Sequence, residues 1–497
     1  MRLDDYRAEI DAIDRQITKL LEQRFQTVKN IGLCKQAMGK PVLDTSRENS
    51  KIESLRSQTD EASYGYIADV FRAIMAQSRK FQEEHRAEYG LLGRTLGHSF
   101  SPEIHKELGG YNYELFEMEP EMLKAFFENT ELKGFNVTIP YKKEVIKYCA
   151  SLSDAAQKTG SINTIVRNKD GSFTGYNTDY YGFDYLIGSA GFDLADAKVL
   201  ILGNGGVSGT VRELAKDRGA AEVVTISRKG ENNYENISRH YDAGFVINTT
   251  PVGMYPDNGS AVTDINKFKN CKGVIDLIYN PIKTKLVMDA ENAGIRAEGG
   301  LRMLVAQAAA ACELFAGNRI SGECIEAEYM NILRKVENII LIGMPGCGKS
   351  SIGEALAKMT GKSFSDSDIK IIEKTGRSTE DIILEDGEEY FRRVETDIAK
   401  AEGRRTGCVI ATGGGAVTRE ENLDLLRQNG RIIYIKRNLE DLSLDGRPIS
   451  AANRAEELFG QRKAAYESWS DFEIENTGIE KTAEQIAIML GYRRQHQ

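Results

Sequence analysis

Gly343-Met-Pro-Gly-Cys-Gly-Lys349-Ser350 follows an apolar segment, Ile339 to Ile342, and precedes a helical pattern from Ile352 to Lys358. The spacing matches GxxxxGK(S/T), a loop whose backbone N–H groups surround nucleotide phosphates together with the N-terminus of the following helix. Lys349 can reach the outer phosphate oxygens, and Ser350 can ligate Mg²⁺. The stretch therefore predicts an α/β domain that binds ATP and Mg²⁺ through Gly343, Gly346, Cys347, Gly348, Lys349 and Ser350.

A second glycine loop lies in the middle of the chain, where the apolar segment Lys198 to Leu202 enters Gly203-Asn-Gly-Gly-Val-Ser208. It departs from the dinucleotide pattern GxGxxG by a serine at the third glycine. The next predicted strand ends in Ser227-Arg228-Lys229, and a basic turn at this place indicates the 2′-phosphate of NADP. A solvated basic turn is the alternative. The predicted NADPH-binding residues are Gly203, Asn204, Gly205, Gly206, Val207, Ser227, Arg228 and Gly300.

Length and composition limit the other roles of the chain. At 497 residues it is long enough for about three domains. A net charge of -9 argues against nucleic acid or a membrane surface as a partner. The seven cysteines are scattered without a CxxC pair, which argues against a disulfide framework and favours a reducing cytoplasm. We expect neither an export signal nor a membrane span, because no apolar run is long enough.

Periodicity divides the chain into three parts. Apolar residues recur at helical spacing from Leu3 to Met38, and two more helical stretches follow, about Ser46 to Ser57 and Tyr64 to Glu84. Alternating strand and helix signals begin at Tyr89. We therefore predict a multidomain chain with an all-α domain over 1–87, an α/β domain over 88–335 and an α/β P-loop domain over 336–497. The central domain would hold a substrate part at about 88–190 plus 300–335 and a Rossmann NADP part at about 191–299.

Motifs downstream of the first glycine loop resemble shikimate kinase in their order: Phe364-Ser-Asp366-Ser-Asp368, Phe391-Arg-Arg-Val-Glu395, Thr412-Gly-Gly-Gly415, Arg447-Pro448, and Arg462 with Tyr466. The resemblance implies that Asp368 orients the substrate hydroxyls and acts as base, while Asp366 supports Mg²⁺ through water. Arg447 would arrive on a mobile lid and neutralise charge on the transferred phosphoryl group. The residues expected to hold a substrate carboxylate are Arg392, Gly414, Gly415 and Arg462. A gluconate kinase-like enzyme is the alternative.

The central part resembles shikimate dehydrogenase along almost its full length. The segments that carry the resemblance include Gly97-His-Ser99-Phe-Ser101-Pro102, Asn136-Val-Thr138-Ile-Pro-Tyr-Lys142, Ser161-Ile-Asn163-Thr164 and Gly175-Tyr-Asn-Thr-Asp179. The resemblance implies that Lys142 and Asp179 are the catalytic pair. An ammonium held beside a carboxylate can pass a proton. The implied substrate-binding residues are Ser99, Ser101, Thr138, Asn163, Tyr279 and Gln307. Asn248 to Met254 resembles the loop that packs on the nicotinamide side, and quinate dehydrogenase-like specificity is the alternative.

The N-terminal helices resemble the all-helical chorismate mutase family. That reaction is an internal rearrangement of a dicarboxylate, so orientation and charge matching suffice and no nucleophile is needed. By resemblance three arginines would contact carboxylates, and Lys35 and Gln82 would contact the ether oxygen. The implied residues are Arg7, Arg24, Lys35, Asp44, Arg47, Glu48, Ser78 and Gln82. A non-catalytic helical dimerisation or regulatory module, fused to a bifunctional dehydrogenase and kinase, is the alternative.

The predicted first helix is longer than its own domain. It would measure about 54 Å at about 1.5 Å per residue, whereas a compact domain of this size spans roughly 30 Å. We therefore expect a homodimer through the N-terminal helices, with Arg7 completing the partner's site. The whole chain is predicted to be a trifunctional enzyme of aromatic amino-acid biosynthesis that takes chorismate, 3-dehydroshikimate and shikimate. A pathway scaffold with one active domain is the alternative from another class.

Overall fold

The structure is a computed structural model that describes residues 2–97, 99–442 and 452–492. The predicted lid residue Arg447 lies outside the described residues. The chain forms two compact units, residues 1–182 with 306–324 and residues 183–305 with 325–497. This division passes through the helices at 178–189, 301–316 and 322–336, so the domain boundaries at 87 and 335 stay predictions.

Three helices open the first unit: α1 (Leu3–Ala37), α2 (Thr45–Leu55) and α3 (Tyr64–Glu84). The three predicted helices are confirmed to within a few residues at each end. The Asp44 carboxylate caps α2 by accepting a hydrogen bond from the Arg47 backbone N–H at 3.0 Å, as short acidic side chains do at helix starts. Helix α1 packs on α3, where the rings of Phe25 and Phe81 lie 5.1 Å apart.

A mixed six-stranded sheet forms the rest of the first unit, in the order β2-β1-β3-β5-β6-β4. Its strands are β1 (Tyr89–Gly93), β2 (Tyr113–Glu117), β3 (Gly134–Val137), β4 (Ser151–Leu152), β5 (Thr164–Arg167) and β6 (Phe173–Tyr176). The accompanying helices are α4 (Ser101–Gly109), α5 (Leu123–Asn129), α6 (Asp154–Thr159) and α7 (Thr178–Ser189). Strand β5 runs antiparallel to both of its neighbours. An aromatic core that includes Phe126, Phe135 and Phe173 covers the sheet.

The second unit begins with a parallel five-stranded sheet in the order β11-β10-β9-β7-β8. Its strands are β7 (Lys198–Leu202), β8 (Glu222–Ile226), β9 (Phe245–Asn248), β10 (Gly273–Asp276) and β11 (Arg296–Gly299), with helices α8 (Ser208–Asp217) and α9 (Lys285–Asn292). The strand order reverses between β7 and β9. Ligands of such sheets bind at the carboxyl ends of the strands beside this reversal, which positions a nucleotide site next to the predicted dinucleotide loop.

A second parallel sheet, in the order β13-β14-β12-β15-β16, forms the last part of the chain. Two helices lead to it, α10 (Leu301–Ala316) and α11 (Gly322–Val336). Its strands are β12 (Asn338–Ile342), β13 (Ser363–Asp366), β14 (Cys408–Ala411), β15 (Gly430–Lys436) and β16 (Phe472–Glu475). Its helices are α12 (Lys349–Thr360), α13 (Ser367–Thr375), α14 (Thr379–Asp386), α15 (Glu388–Gly403), α16 (Glu421–Arg427), α17 (Ala452–Trp469) and α18 (Ile479–Met489).

The order of this last sheet reverses between β12 and β14. The two predicted phosphate and substrate loops, Gly343–Ser350 and Thr412–Gly415, follow these two strands directly. The predicted α/β architecture of these two parts is therefore confirmed, and both five-stranded sheets are parallel. None of the described helices combines the length and the apolar character that a bilayer crossing needs.

Candidate active sites

Two oppositely charged side chains predicted to act together meet in the first unit. The Nζ of Lys142 lies 2.6 Å from Oδ2 of Asp179, the first-turn residue of α7 that follows β6. The side chains are 17% and 9% exposed. An ion pair shielded to this extent is screened less than a surface pair and holds its ammonium in one place. This arrangement can orient a carbonyl oxygen and deliver a proton to it.

The other oxygen of the Asp179 carboxylate is held by an amide. Asn163 donates from Nδ2 to Asp179 Oδ1 at 2.9 Å and to Gln307 Oε1 at 3.1 Å. Its own Oδ1 accepts from the Thr178 backbone N–H at 2.7 Å, which establishes which end of the amide faces the carboxylate. The structure thus brings four predicted residues together: Lys142, Asp179, Asn163 and Gln307.

The remaining predicted substrate residues of the first unit lie on neighbouring segments. Ser99 Oγ accepts a hydrogen bond from the backbone N–H of Ser101 at 3.2 Å, at the start of α4. Ser101 is buried and Ser99 is half-buried. Thr138 follows β3, and its backbone N–H donates to the Leu92 carbonyl oxygen at 2.9 Å. Two hydroxyl groups at a helix start can receive a carboxylate, as the resemblance implied.

The dinucleotide loop follows β7 and is supported by its own serine. Ser208 Oγ donates to the Gly203 carbonyl oxygen at 2.8 Å and is fully buried. Gly203 has φ +103°, and a Cβ there would lie 2.6 Å from Thr250 Cγ2, so only glycine fits. Asn204 and Gly205 are exposed at the tip, and Val207 precedes α8. The serine at the third glycine position therefore stabilises the loop.

The other predicted dinucleotide residues, and the predicted substrate residue Tyr279, lie on three further segments of the second unit. Ser227 is half-buried and Arg228 is exposed, directly after β8. Tyr279 follows β10, and burial raises the pKa of its hydroxyl. The backbone N–H of Gly300 donates to the Ile278 carbonyl oxygen at 2.9 Å. These loops all follow carboxyl ends of strands in the same parallel sheet.

The predicted P-loop lysine is buried at the start of α12. Its Nζ donates to the carbonyl oxygens of Gly343 at 2.9 Å and Met344 at 3.0 Å. The Cys347 side chain is fully buried among apolar residues of the core, while its carbonyl oxygen accepts from Asn476 Nδ2 at 2.7 Å. Hydrogen bonds thus connect the lysine to carbonyl groups of its own loop, and connect the loop to the segment after β16.

Oxygen ligands meet beside this loop. Ser350 Oγ donates to Asp366 Oδ2 at 2.5 Å, and Asp366 Oδ1 accepts the backbone N–H of Asp368 at 2.9 Å. A hydroxyl beside a carboxylate is the donor set that hard divalent cations prefer. A Cβ on Gly413 would lie 3.1 Å from Asp368 Oδ1, which brings the predicted base to the turn after β14.

The two predicted carboxylate-binding arginines approach this same turn, and both are buried. A Cβ on Gly415 would lie only 2.0 Å from Arg392 Nη1, so the guanidinium packs on the glycine backbone. Arg462 Nη1 donates to the Gly414 carbonyl oxygen at 3.3 Å, and its buried Nε has no hydrogen-bond partner among the described residues. This unused donor fits a site that receives an anionic group.

Two acidic side chains contact the buried Arg392 guanidinium. Glu395 Oε2 accepts from Arg392 Nη1 at 2.8 Å, while Glu388 accepts from the other nitrogen at 3.0 Å. Burial raises the pKa of the Glu395 carboxyl above its ordinary value, and the Arg392 charge opposes this shift. The Arg392 guanidinium is therefore held in a fixed orientation by a partner on its own helix.

The predicted mutase residues form a second group of contacts in the helical region. Arg24 donates to Ser78 Oγ between α1 and α3, and burial lowers the pKa of the guanidinium. Lys35 Nζ donates to the Val42 carbonyl oxygen at 2.5 Å. Glu48 receives two hydrogen bonds from Arg79 Nη1, at 2.5 and 2.6 Å. These contacts join α1, α2 and α3 at one end of α1.

Three of the predicted mutase residues lie outside these contacts. Gln82 Oε1 is buried and has no hydrogen-bond partner among the described residues, which fits a site open to a polar ligand. Arg47 is exposed after the α2 cap. The Arg7 side chain is 68% exposed and contacts Asp4 on its own helix. Since Arg7 and Arg24 lie on one helix, they are about 26 Å apart along its axis, and the chain does not bring them together.

Family models match three successive parts of the chain. Residues 6–83 match Chorismate mutase type II, residues 91–165 match Shikimate dehydrogenase substrate binding domain, and residues 345–490 match Shikimate kinase. The Shikimate dehydrogenase (NADP(+)) of Clostridium beijerinckii is 36% identical in an alignment of 263 residues that covers 48% of this chain and 96% of that protein. The chain belongs to the shikimate dehydrogenase family.

A second curated relative and one solved structure are also similar to this chain. The Shikimate dehydrogenase (NADP(+)) of Clostridium perfringens strain SM101 is 34% identical over 262 residues, covering 48% of this chain and 96% of that protein. A crystal structure of a chorismate mutase/shikimate 5-dehydrogenase fusion protein from Clostridium acetobutylicum is 33% identical, covers 49% of this chain and 96% of that chain, and gives a TM-score of 0.47.

The shikimate dehydrogenase part is therefore joined to a chorismate mutase domain before it and a shikimate kinase domain after it. The chain is a multifunctional shikimate-pathway enzyme with isomerase, oxidoreductase and kinase domains. The predicted family resemblance, fold class and enzyme classes are confirmed. The roles of the individual site residues stay predictions.

Sequence analysis missed the residues that hold the predicted ones. Glu395 lies three residues after Arg392 on one helix, and this spacing for opposite charges could have identified the pair. Arg79 lies next to the predicted Ser78, but its partner Glu48 is 31 residues away. Asn476, which supports the P-loop, is 129 residues from Cys347. No local pattern identifies contacts at such separations.

Proposed function

We propose that the chain catalyses three reactions: chorismate to prephenate, NADPH-dependent reduction of 3-dehydroshikimate to shikimate, and phosphorylation of shikimate by ATP with Mg²⁺ to shikimate 3-phosphate. The observation that carries the proposal is the shielded Lys142–Asp179 pair at 2.6 Å, within the family whose relatives are named for NADP(+)-dependent shikimate dehydrogenation. All seven cysteines are free thiols, which supports a reducing compartment such as the cytoplasm.

In the proposed dehydrogenase reaction, side chains of this protein supply the proton and orient its donor. NADPH, when bound, supplies the hydride to the carbonyl carbon. The Lys142 ammonium would hold the carbonyl oxygen and donate the proton that this oxygen gains. Asp179 keeps the ammonium in place, and Asn163 keeps the Asp179 carboxylate oriented. Ser99 and Ser101 would hold the substrate carboxylate.

The test is Lys142→Ala, with Lys143→Ala as the matched control because Lys143 is its exposed neighbour. The first variant should lose about 10²- to 10⁴-fold in dehydrogenase kcat, the usual value of a positioned acid or base. The control, and both other activities of the first variant, should stay near wild type. A Lys142→Ala enzyme that reduces 3-dehydroshikimate at the normal rate would contradict the proposal, and joint loss of all activities would indicate misfolding.

The kinase proposal rests on donors left available by the fold. ATP, when bound, supplies the phosphoryl group. An ammonium has three donors, and Lys349 uses two on loop carbonyl groups and the third on Cys347 Sγ at 3.9 Å, a weak contact that a phosphate oxygen would replace. Ser350 and Asp366 would hold Mg²⁺, and Asp368 would take the proton of the attacking hydroxyl. Arg392 and Arg462 would hold the shikimate carboxylate against the backbone of Gly414 and Gly415.

The mutase proposal is supported by two cationic side chains and by the buried amide oxygen of Gln82. Arg24, Lys35 and Gln82 line one end of the helical domain, and a dicarboxylate can be held there by matching charges alone. The test is conversion of chorismate by the full chain. Absence of this activity in a protein that still has both other activities would favour the non-catalytic helical module.

We also propose a homodimer through α1, because half of this helix is uncovered. Large apolar side chains on it stay exposed in the single chain: Leu3, Tyr6, Ile10, Ile13, Ile17 and Leu20. A continuous row of six exposed apolar side chains along one helix is a candidate interface. Arg7 lies on this uncovered half, so in a dimer it would enter the partner's site and complete the group that begins at Arg24.

Complementation tests the shared site. Arg7→Ala and Arg24→Ala proteins should each lack mutase activity. When the two are unfolded and refolded together, half of the dimers are mixed, and each mixed dimer has one intact site, so about a quarter of wild-type activity should return. No recovery after confirmed subunit exchange would mean that Arg7 acts in its own chain or has no role.

A further inference from the structure

The kinase domain contacts the NADP part of the dehydrogenase through a polar interface inside the second unit. We call it the interdomain clamp. Its dehydrogenase side is Tyr255, Pro256 and Asn258, in the loop after β9, and its kinase side is Gly403, Arg404, Gln428 and Asn429. Polar side chains are seldom buried between domains unless their hydrogen bonds are satisfied, so the pattern of these bonds indicates how firmly the two parts are joined.

The centre of the clamp is a reciprocal pair of amides. Asn258 Nδ2 donates to Gln428 Oε1, and Gln428 Nε2 donates back to the Asn258 carbonyl oxygen at 3.0 Å. The two residues are 4% and 3% exposed. The exchange of two hydrogen bonds by buried amides fixes the position of one chain segment relative to the other.

Two further side chains hold the same loop from the kinase side. Asn429, which is 1% exposed, donates from Nδ2 to the Tyr255 hydroxyl at 2.8 Å. Arg404 donates from Nη2 to the Pro256 carbonyl oxygen at 2.9 Å and to Asn258 Oδ1 at 3.2 Å. The segment 255–258 is therefore fixed by three kinase side chains.

The other end of this loop touches the dinucleotide loop. Thr249 Oγ1 donates to the Leu202 carbonyl oxygen at 2.8 Å, and Thr250 leaves no room for a side chain on Gly203. Between the two ends, Val252 and Met254 are 39% and 45% exposed. Because the loop follows β9 beside the reversal of the sheet, its exposed middle borders the place where a dinucleotide binds in such a fold.

We propose that Arg404, Gln428 and Asn429 of the kinase domain are positioning residues for NADPH binding by the dehydrogenase. They hold the loop 249–258 in its binding conformation before the nucleotide arrives. A loop ordered in advance loses less conformational entropy on binding, so the affinity for NADPH is higher. The inference rests on the proposed NADPH-dependent function and adds that one enzyme's domain supports the cofactor site of the other.

Arg404→Ala in the full chain tests this, because its guanidinium bonds reach across to the dehydrogenase. Arg405→Ala is the matched control, since the Arg405 guanidinium bonds Glu402 and Ser363 within the kinase domain. Calorimetric titration with NADPH should give a Kd about 5- to 10-fold higher for Arg404→Ala, the size expected for ordering a few loop groups. Arg405→Ala should bind NADPH as the wild type does.

Steady-state kinetics separate positioning from general damage. The KM for NADPH of Arg404→Ala should rise by the same factor as the Kd, while the KM for 3-dehydroshikimate and the kinase kcat stay within about twofold. Tyr255→Phe, which removes the hydroxyl that Asn429 contacts, should weaken NADPH binding in the same direction if Arg404→Ala folds poorly. Combining the two changes should give less than the product of their separate effects, because they release one loop.

Two outcomes would overturn the inference. One is an unchanged NADPH Kd in both Arg404→Ala and Tyr255→Phe while wild-type binding is measurable. The other is equal weakening by Arg404→Ala and Arg405→Ala, which would indicate a general effect of kinase-domain stability. A wild-type chain that neither binds NADPH nor reduces 3-dehydroshikimate would instead contradict the proposed function itself.

Discussion

The two glycine loops of the chain, both predicted to bind nucleotides, differ in where their positive charge lies. Each loop follows the first strand of a parallel sheet and leads into a helix. The kinase loop carries its own cation, Lys349, which is buried and tethered to the loop carbonyl groups. The dehydrogenase loop, Gly203–Val207, contains no cation, and its predicted phosphate partner Arg228 follows the next strand.

This difference determines how far each loop depends on the rest of its domain. Charge and backbone donors of the kinase loop lie in one short segment, so a single motif identifies the site. The dehydrogenase loop contacts Ser208 from α8 and Thr249 and Thr250 after β9, whereas its predicted phosphate partner Arg228 follows β8. The strand order of the sheet assembles these parts, so changes in several separate segments should affect it.

The largest effect that the comparison predicts comes from Lys349→Ala. Removal of the only cation of the kinase loop should lower the kinase kcat by about 10²- to 10³-fold, as for other preorganised donors to a transition state. The matched control is Lys358→Ala, an exposed lysine on the same helix, which should keep its kinase activity. Initial rates with ATP and shikimate measure both variants. A similar loss of kinase activity in both variants would mean that the activity depends on overall charge and not on the position of the lysine in the loop.

Arg228→Asp tests the cation of the other loop. An arginine that contacts the 2′-phosphate makes a charge-assisted hydrogen bond, and its loss should lower kcat/KM for NADPH by about 10- to 100-fold. NADH should be used better than before, because aspartate can accept from the ribose 2′-hydroxyl. The ratio of the two kcat/KM values is the measurement. If this ratio does not change, other residues recognise the phosphate.

Gly203→Ala tests how the dehydrogenase loop depends on its neighbours. The alanine would have to adopt φ +103° with its Cβ 2.6 Å from Thr250 Cγ2, which should destabilise the second unit by about 1–3 kcal/mol. Gly205→Ala is the control for folding, since a Cβ there meets only the Thr249 carbonyl oxygen at 4.0 Å. Thermal unfolding should show a lower Tm for the first variant alone. Equal Tm values for the two variants would mean that the loop can shift to accommodate the added Cβ without loss of stability.

The smallest effect concerns Asp276, which supports the loop after β9 by accepting from Asn248 Nδ2 at 3.0 Å. Burial raises the pKa of this carboxyl to about 6, against hydrogen bonds from Thr284 and others that lower it. Because the unfolded value is lower, unfolding releases a proton between about pH 4 and 6, and stability falls as the pH rises through this range.

Asp276→Asn removes this titration. The difference between the Tm of the variant and that of the wild type should therefore be shifted upward at about pH 7.5 compared with about pH 4.5. Thermal unfolding at the two values measures the difference. A relative Tm that does not change with pH would show that Asp276 keeps an ordinary pKa in the folded protein.

Much of the fold followed from local patterns. The periodic apolar residues of α1 and α3 and the strand and loop at Gly343–Ser350 were predictable, because helical spacing and phosphate loops depend on residues close in the chain. The mutase, dehydrogenase and kinase families were also predictable, since their motifs occur in order along the sequence.

Tertiary structure alone decided which side chains support these motifs. Lys142 and Asp179 could be proposed as a pair from a resemblance, but the amide of Asn163 that orients Asp179 appears only when β5 lies beside β6. The clamp between Asn258 and Gln428 joins residues 170 positions apart. Sequence determines local geometry through short-range sterics and periodicity, whereas contacts at such separations depend on how the sheets pack, which no local pattern records.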